Sequence, residues 1–409
     1  MSVTRREWIG MAATLPVVAM ASRSGHTATP APPSLPDKAS FQKTSGVYLD
    51  SGTSHPMSHG ARAAIEAYLA KRSLDPAAAG HKLDSDGVRA KFARLINAEP
   101  DEIAFVQSTT TGEHMVLRAL GLPARDAHIV TDTLHFFGSF PLYEEMAKLG
   151  CDVTWLRPRD GRIMLEDIER AVRKGTKLVA LSLVSTFNGF THDLKKVCEI
   201  AHAHGAMVYA DIVHAAGCMP LDVKESGVDF AACASYKWLM GDFGLGFLYA
   251  RKDRLDLLPR TQWGYYGLNR FTSHAYPLDP PGETIADYGF PSSAMGHFAF
   301  GTYAHTVVAQ LHHSLDYILK LGPANIQSHA QTLTARLKDE LPKRGYVLAT
   351  PPESRAPIVT CILEDAAGKL RPRLAAADVQ IMVSRNRFRV TPSVFNDMED
   401  IERLLAALP

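Results

Sequence analysis

The sequence predicts an α/β protein, with a large domain built on a mostly parallel sheet and a smaller α+β domain at the C-terminus. Two observations predict this fold. From about residue 60 to residue 250, short apolar segments alternate with helical ones, which is typical of a parallel sheet covered by helices. After a stretch rich in Pro, Gly and Tyr at residues 251–300, two long helical patterns precede short strands. With 409 residues, the chain can form two or three domains' worth of core.

The individual elements follow from runs of apolar residues bounded by polar or turn residues. The predicted strands of the large domain are Ile103–Gln107, His128–Thr131, Lys177–Val184, Met207–Ala210, Phe230–Cys233 and Gly246–Ala250. The predicted helices between them are Gly112–Leu120, Pro141–Leu149 and Leu194–His204. The C-terminal domain is predicted to contain helices Tyr303–Leu321, Asn325–Leu341 and Met398–Leu408, with strands Ile358–Leu363 and Phe388–Val390.

The overall composition excludes several classes of function. Charged residues make up 21% of the chain and the formal net charge is +1, so a surface for nucleic acid or for anionic membranes is not expected. The five cysteines are scattered and form no CxxC pair. This pattern argues against a disulfide scaffold and against a structural zinc site.

The first 34 residues resemble a twin-arginine export signal. The pair Arg5-Arg6 precedes the apolar run Ile9–Ala21, which ends in the A-x-A cleavage pattern Ala19-Met20-Ala21. The run is too short to span a bilayer and contains Pro16, so no membrane anchor is expected in the mature protein. We therefore expect export of the folded protein to the periplasm by the twin-arginine machinery. The alternative is a disordered basic tail in which the arginine pair arose by chance.

Polar residues that can carry chemistry stand directly after the predicted strands. They are Thr110, His135, Thr186, Asp211 and Lys237. Ligand sites in open α/β sheets lie at the carboxyl ends of the strands. These side chains are therefore expected to converge.

Lys237 and Asp211 indicate a site for pyridoxal phosphate (PLP). A lysine that follows an apolar strand, with an acid 26 residues earlier (237 − 211), can hold the cofactor aldehyde as a Schiff base while the acid pairs with the ring nitrogen. The alternatives are a solvated lysine at a strand end and an aspartate that caps a helix. Asp211 and His214 could also be metal ligands, but no third ligand has suitable spacing, so no metal is predicted.

The segment Ser108–Gly112 is a candidate phosphate cradle. It is a turn rich in hydroxyl groups that enters a helix, where free backbone N–H groups and the helix dipole attract an anion. The alternative is a plain capping box, since Thr110 and Glu113 fit the pattern S/T-x-x-E.

Several blocks now support a resemblance that covers the chain from about Val47 to its end. In order, they are Tyr48–Thr53, Ser108–Gly112, Tyr209–Gly217, Ser235–Trp238, Phe300–Thr302 and Arg389–Asn396. The chain resembles the class V aminotransferase family of fold-type I PLP enzymes, which includes cysteine desulfurases, kynureninases and isopenicillin-N-epimerase-like proteins.

The resemblance implies a mixed, mostly parallel seven-stranded sheet in the large domain and a homodimer whose active sites lie at the subunit interface. The implied organisation is a signal and tail at residues 1–34, an N-terminal segment at 35–60 that packs on the small domain, the large PLP-binding domain at 61–300 and the small domain at 301–409.

The resemblance also implies the cofactor contacts. Phosphate contacts are carried over to Thr110 and Thr111, and Gly301 and Thr302 match a segment that reaches the phosphate of the neighbouring subunit. Tyr236 is similar to a phosphate ligand of kynureninases, although other branches have His at this position.

Further roles concern the cofactor ring. His214 matches the position that contacts the phenolic oxygen. Thr186 falls beside the same oxygen, and a small shift of register would place Asn188 there instead. His135 matches a residue that stacks on the ring and can move protons near the substrate, and Phe136 competes for that place.

Arg389 resembles the arginine of the family that binds the substrate α-carboxylate, for which a planar bidentate donor is suited. Its neighbours Arg385 and Arg387 are interpreted as structural or surface residues. The alternative for Arg389 is a solvated arginine on an edge strand.

The predicted function is that of an exported PLP enzyme that acts at Cα or Cβ of an amino acid, either free or within a secreted peptide. Epimerase, lyase and transaminase reactions all fit. Between Ala377 and Arg389 there is no cysteine, which disfavours a cysteine desulfurase, since that activity needs a nucleophilic cysteine on a loop there. A C–S lyase similar to desulfurases or selenocysteine lyases, and a non-catalytic PLP-binding protein, are the alternatives.

Overall fold

The structure is a computed structural model that describes residues 34–42, 46–77 and 83–409. The predicted export signal, with its arginine pair, apolar run and cleavage pattern, lies outside the described residues. Within the described residues, no helix combines the length and the apolar character needed to cross a membrane.

The large sheet has seven strands, as predicted, and it is mixed but mostly parallel. Gly246–Ala250 is antiparallel to both of its neighbours, and the other adjacent strands run parallel. In spatial order, the strands are Ile103–Val106, Gly246–Ala250, Phe230–Ala234, Met207–Asp211, Thr176–Ser182, His128–Asp132 and Asp152–Leu156.

Helices cover both faces of this sheet, because residues of a strand alternate between two separate hydrophobic cores. Val179 and Leu181 belong to one core, and Leu178 and Ala180 belong to the other. The helices of this part are His59–Leu74, Ser85–Ile96, Thr109–Ala119, Phe140–Lys148, Leu165–Ala171, Leu194–Ala203, Val223–Ser226, Lys252–Leu255, Ala294–Phe298 and His305–Leu321. The last of these helices contributes Val308 to the first core.

A smaller, antiparallel four-stranded sheet has a hydrophobic core of its own. In spatial order, its strands are Val347–Leu348, Val359–Ile362, Arg387–Val390 and Met382–Ser384. The helices Pro323–Lys343, Ala366–Ala376 and Met398–Ala407 pack with it. The strand Val47–Tyr48 pairs in parallel with Val379–Gln380, and Val47 and Leu49 are buried in this smaller core.

The Pro-, Gly- and Tyr-rich stretch contains a hairpin whose strands, Arg270–Ser273 and Ala286–Gly289, pair antiparallel. Many large apolar side chains of this region are exposed. They include Trp263, Tyr265, Phe271, Tyr276, Leu278, Ile285 and Tyr288. Short 3-10 helices complete the described structure at Lys38–Ser40, Pro100–Glu102, Phe137–Ser139 and Tyr265–Gly267.

The register of the large sheet positions the candidate site. Ser182 lies opposite Asp211, and Asp211 lies opposite Ala232 on the next strand. The carboxyl ends of these parallel strands therefore share one edge of the sheet, and Lys237 follows within three residues of the end of Phe230–Ala234.

Candidate active site

A cavity of about 440 Å³ lies at this edge of the sheet. Residues of the large sheet's loops form one side, and residues of the small sheet and the N-terminal segment form the other. The lining residues are Gly52, Thr53, Thr133, His135, Phe136, Phe137, Phe140, Thr186, Phe187, Tyr236, Lys237, Met382, Arg387 and Arg389.

Lys237 is a buried amine in this cavity, and only 9% of the residue is exposed. Burial is the largest cause that lowers the pKa of its amine, to about 8, although Asp211 opposes the shift and Arg389 adds to it. Much of the amine is thus neutral in mildly alkaline solution, and a neutral amine is the form that attacks a carbonyl carbon.

The imidazole ring of His214 directs its Nε2–H group towards the amine of Lys237. The indole Nε1 of Trp238 donates a hydrogen bond to His214 Nδ1 over 3.2 Å. Because an indole N–H can only donate, Nδ1 must accept, so a neutral His214 carries its proton on Nε2. Nε2 lies 3.2 Å from the Nζ of Lys237. Burial and the nearby positive charge of Lys237 lower the pKa of His214 well below its usual value, which keeps the ring neutral.

A glycine allows Trp238 to approach His214. Gly217 has a φ of +94°, a backbone conformation that favours glycine, and a Cβ at this position would lie 2.6 Å from the carbonyl oxygen of Trp238. The turn after His214 can therefore pack directly on the backbone that carries Lys237 and Trp238.

Asp211 is buried at the carboxyl end of its strand, where its Oδ1 accepts a hydrogen bond from the backbone N–H of Val213 over 2.9 Å. Burial raises the pKa of this carboxyl group, while the charges of His135 and Lys237 oppose the shift. A buried acid of this kind needs a cationic partner to stay ionised, and a protonated ring nitrogen would be one.

His135 lines the cavity, but both of its ring nitrogens have partners. Nδ1 lies 2.8 Å from Ser182 Oγ, and Nε2 lies 3.0 Å from Glu113 Oε1. Glu113 is itself buried and accepts hydrogen bonds from the hydroxyls of Ser139 and Tyr143, each over 2.6 Å. Burial lowers the pKa of His135, but the adjacent Glu113 carboxylate more than offsets this, so the net pKa is raised.

The helix at the candidate phosphate cradle begins two residues earlier than the capping-box alternative requires. Ser108 is the N-cap, and its Oγ accepts a hydrogen bond from the backbone N–H of Thr111 over 3.1 Å. Glu113 does not reach back to the cap but is used at His135, so the capping-box interpretation of Thr110 and Glu113 is wrong. The first turn of a helix leaves N–H groups without intrahelical partners, and here they are flanked by hydroxyls.

Thr110 and Thr111 line a second cavity of about 550 Å³, together with Ser108, Arg118 and Trp263. The helix start is tied to the lysine strand, because Thr109 Oγ1 accepts a hydrogen bond from the backbone N–H of Ala234 over 3.0 Å.

Arg389 is held in place by two other segments of the chain, the one that contains Asp50 and Thr53 and the loop that contains Thr186. Its NH1 group donates to Thr186 Oγ1 over 2.7 Å, and its NH2 group donates to Thr53 Oγ1 over 2.8 Å and lies 3.3 Å from Asp50 Oδ1. Only 4% of Arg389 is exposed, and its Nε is buried without a hydrogen-bond partner among the described residues. The guanidinium is thus desolvated and fixed, as a carboxylate receptor requires.

Of the two alternatives beside the ring oxygen, the structure places Thr186 in the cavity wall and Asn188 elsewhere. The Asn188 side chain is fully buried, donates to the carbonyl oxygens of Gly161 and Ala349, and accepts from the N–H of Phe190. Its hydrogen-bonding groups are therefore committed to holding loops together.

The remaining predicted residues are spread over different surfaces. Tyr236 lines the cavity, and its ring stacks on Phe243 with centroids 4.4 Å apart. Gly301 and Thr302 are exposed, and Thr302 lines a separate surface cavity rather than the one that contains Lys237. Their predicted contact with a neighbouring subunit stays a prediction.

Sequence reasoning gave no cofactor-binding, substrate-binding or catalytic role to four residues that shape the site: Asp50, Glu113, Trp238 and Arg387. Asp50 and Trp238 belong to blocks on which the resemblance rests, so their positions were signalled although their roles were not. Glu113 was interpreted as part of a helix cap. Arg387 was interpreted as a structural or surface residue, whereas the structure places it in the cavity wall.

Comparison with solved structures defines the class of protein. The apo cysteine desulfurase of Thermococcus onnurineus NA1 superposes with a TM-score of 0.76 at 22% identity, over 88% of this chain and 93% of that one. The cystine C–S lyase C-DES, solved with cysteine persulfide, gives a TM-score of 0.78 at 20% identity, over 89% and 97%. These likenesses confirm the predicted fold, which is that of fold-type I PLP enzymes.

The family follows from the sequence match. The model of the family "Aminotransferase class-V" matches residues 47–385, and the chain belongs to that family. Similar proteins include a probable cysteine desulfurase of Halalkalibacterium halodurans, which is 28% identical over 334 residues covering 78% of each chain. Another probable cysteine desulfurase, of Methanothermobacter thermautotrophicus, is 28% identical over 298 residues covering 71% of each.

Family membership confirms three predictions from the sequence: the family itself, an enzyme, and PLP as its cofactor. The geometry fits this cofactor independently. A buried acid of raised pKa, an amine of lowered pKa and a helix start rich in hydroxyls suit the pyridine nitrogen, the aldehyde and the phosphate, respectively.

Proposed function

We propose that this PLP-dependent enzyme moves a proton at Cα of an amino-acid substrate, either free or within a peptide, in a reaction of the epimerase, lyase or transaminase type. The observation that carries the proposal is the Lys237 amine, which lies 3.2 Å from the Nε2 of a neutral His214 and shares one cavity with Arg389. An amine and a carboxylate receptor in one cavity are the groups that α-amino-acid chemistry needs.

Four groups are suited to hold the cofactor. Asp211 would pair with the ring nitrogen, Thr110 and Thr111 would hold the phosphate, and His214 Nε2–H would lie beside the phenolic oxygen. When bound, PLP withdraws electrons from a bond at the substrate Cα and so labilises that bond.

Lys237 supplies the mobile proton. Its lowered pKa, about 8, means that the amine can take up a proton and release it again near neutral pH. The Nε2–H of His214 points at the lone pair of the neutral amine, so the ring orients Nζ and disfavours its protonation.

Arg389 selects the bond that reacts by fixing the substrate carboxylate. Thr186, Thr53 and Asp50 hold its guanidinium, so the group does not need to reorganise when a carboxylate arrives. His135 can exchange a proton only with Ser182 or Glu113 while its present hydrogen bonds persist, which favours a positioning role near the ring.

The proposal is tested with purified protein loaded with PLP. Borohydride reduction followed by peptide mass spectrometry should place a phosphopyridoxyl group on Lys237. A screen of free amino acids and peptide-borne residues, read by absorbance changes and by mass spectrometry of products, should then identify the substrate. Failure to bind PLP would refute the proposed function, and a loaded protein whose spectrum no amino acid or peptide changes would favour a non-catalytic PLP-binding protein.

We further propose that the enzyme is a homodimer in the periplasm. The exposed apolar side chains of the hairpin region, such as Phe271 and Leu278, support association, since patches of this kind usually mark interaction surfaces. Sedimentation should give twice the monomer mass, and a monomer at micromolar concentration would contradict the dimer.

An Arg5→Lys/Arg6→Lys variant should stay in the cytoplasm, and unchanged periplasmic delivery would contradict export by the twin-arginine route.

A second candidate is a C–S lyase that does not use a nucleophilic cysteine. The similarity to probable cysteine desulfurases favours sulfur chemistry. However, all five cysteines are buried, none lines the cavity, and burial raises the pKa of Cys361 to about 12. Incubation with L-cysteine and L-cystine distinguishes the cases: pyruvate would indicate elimination, and alanine with persulfide sulfur would indicate a desulfurase.

A further inference from the structure

Arg387 adds a second arginine to the wall of the cavity. In the strand Arg387–Val390, alternate residues face the same side, so Arg387 and Arg389 share one face while Phe388 between them is buried in the small core. Both arginines line the cavity. Their Cα atoms are roughly 7 Å apart, as the rise of a strand requires.

The two arginines differ in the hydrogen-bond acceptors and carboxylates that surround their guanidinium groups. Arg389 is held by Thr186, Thr53 and Asp50. Among the described residues, the Arg387 side chain has no hydrogen-bond acceptor and no carboxylate within 4 Å, and its Nε is buried without a partner. Its guanidinium lies over the ring of Phe187, 5.0 Å from the centroid, and this contact orients the group without neutralising it.

The charge of the cavity is one-sided. Lys237, Arg387 and Arg389 line it, and no aspartate or glutamate is among the lining residues. A substrate whose α-carboxylate pairs with Arg389 would leave Arg387 uncompensated. A partly desolvated guanidinium without a partner is unfavourable, so a second anion on the substrate would bind with a large gain.

Five large apolar side chains form much of the remaining wall, beside polar residues such as Thr133 and Tyr236. Phe136, Phe137, Phe140, Phe187 and Met382 surround the space beside the two arginines. These apolar side chains suit methylene groups between two charged ends.

We infer that Arg387 is a specificity residue, and that the substrate is an amino acid whose side chain ends in an anionic group such as a carboxylate or a sulfinate. This inference rests on the proposed function and deepens it, since it names the class of the substrate. Arg389 binds the α-carboxylate, and Arg387 binds the far anion, while the methylene groups between them contact the apolar side chains of the wall.

The experiment measures binding of unreactive acids to the PLP-loaded enzyme by calorimetry. Three pairs are matched in chain length: succinate with butyrate, glutarate with valerate, and adipate with hexanoate. For at least one pair, the diacid should bind about tenfold tighter or more, as a charge-assisted bidentate contact allows. In Arg387→Gln, the diacid should fall to the affinity of the monoacid, and the monoacid should be unaffected.

The control is Arg385→Gln, which removes an exposed arginine two residues away and should leave both affinities unchanged. Arg387→Lys should retain part of the preference for the diacid over the monoacid. The affinities of this variant replace those of Arg387→Gln if the Gln variant does not fold. Equal binding of diacid and monoacid, no binding of either acid, or a preference that survives in Arg387→Gln would overturn the inference. Failure of the proposed function would be seen separately, as a protein that does not load with PLP.

Discussion

The lysine side and the arginine side of the cavity are built in different ways. Asp211 and Lys237 are 26 residues apart (237 − 211), and they follow adjacent parallel strands of one sheet. Asp50 and Arg389 are 339 residues apart, and the clamp they form exists only where the N-terminal segment and the small sheet meet the loop of Thr186. The lysine side is therefore fixed by the register of one sheet, whereas the arginine side depends on how separate parts of the chain pack.

The largest expected effect is on the lysine side. Lys237→Ala should abolish the borohydride-stable bond to PLP and reduce kcat by about 10²–10⁴-fold, because the variant lacks both the imine-forming amine and the proton carrier. Absorbance after reduction and turnover of the identified substrate give the measurements. Lys252→Ala, which removes a surface lysine, is the control. Retention of the reduced adduct in Lys237→Ala would show that another residue binds the aldehyde.

The next effect concerns the arginine itself. Arg389→Gln should raise KM by about 10²-fold, since a buried bidentate contact to a carboxylate is lost, while the bond to PLP forms normally. Arg389→Lys should recover little, because an ammonium cannot replace the planar fork. If Arg389→Gln instead prevented PLP binding, the two sides of the cavity would not be independent.

A smaller effect is expected at the partner of the arginine. Asp50→Asn should raise KM several-fold and lower the free energy of unfolding by about 1–3 kcal/mol, since one charged hydrogen bond to Arg389 is weakened. Steady-state kinetics and denaturant unfolding measure the two quantities. Thr53→Val, which removes a neutral acceptor from the same guanidinium, should have a lesser effect on both. An Asp50→Asn enzyme with unchanged KM would mean that Thr186 and Thr53 suffice to hold the clamp.

The smallest expected effect is a shift in pH dependence on the lysine side. The rate at which apoenzyme reacts with PLP should rise with pH through about 8, because only the neutral form of Lys237 attacks. In Trp238→Phe, His214 can move its proton to Nδ1 and offer Nε2 to the ammonium, which stabilises the charged amine. The pKa of Lys237, and with it the midpoint, should therefore move upward. Leu74→Ala, at an exposed position outside the cavities, should not change it, and an unchanged midpoint in Trp238→Phe would refute the tautomer argument.

Much of the large sheet was predictable because its central strands are buried on both faces and appear as continuous apolar runs. The strand Asp152–Leu156 was not predicted, since it lies at the edge of the sheet and its residues are only partly buried or exposed. The helix that follows Ser108 was predicted to begin at Gly112, but it begins at Thr109, because Ser108 rather than Thr110 provides the cap.

The site was predictable to the extent that its residues follow strands. His135, Thr186, Tyr236 and Lys237 follow strands of the large sheet and line one cavity, whereas Thr110 lines a second one. Arg389 lines the first cavity from within a strand of the small sheet. The choice between Thr186 and Asn188 was open from the sequence, because either residue follows the strand closely and only packing shows that the Asn188 amide is used elsewhere. The partners of Glu113 could not be predicted, since His135, Ser139 and Tyr143 belong to a separate stretch of the chain that only packing brings close.

The sequence by itself determined the fold class, the family, and the pairing of a strand-end lysine with a strand-end acid. These properties are encoded in local patterns: apolar periodicity, and polar residues at the points where parallel strands end. The tertiary structure alone decided which ring nitrogen of a neutral His214 carries the proton, how Arg389 is held and that Arg387 lines the cavity. Those properties depend on contacts between segments as far apart as Asp50 and Arg389, and local patterns carry no information on such contacts.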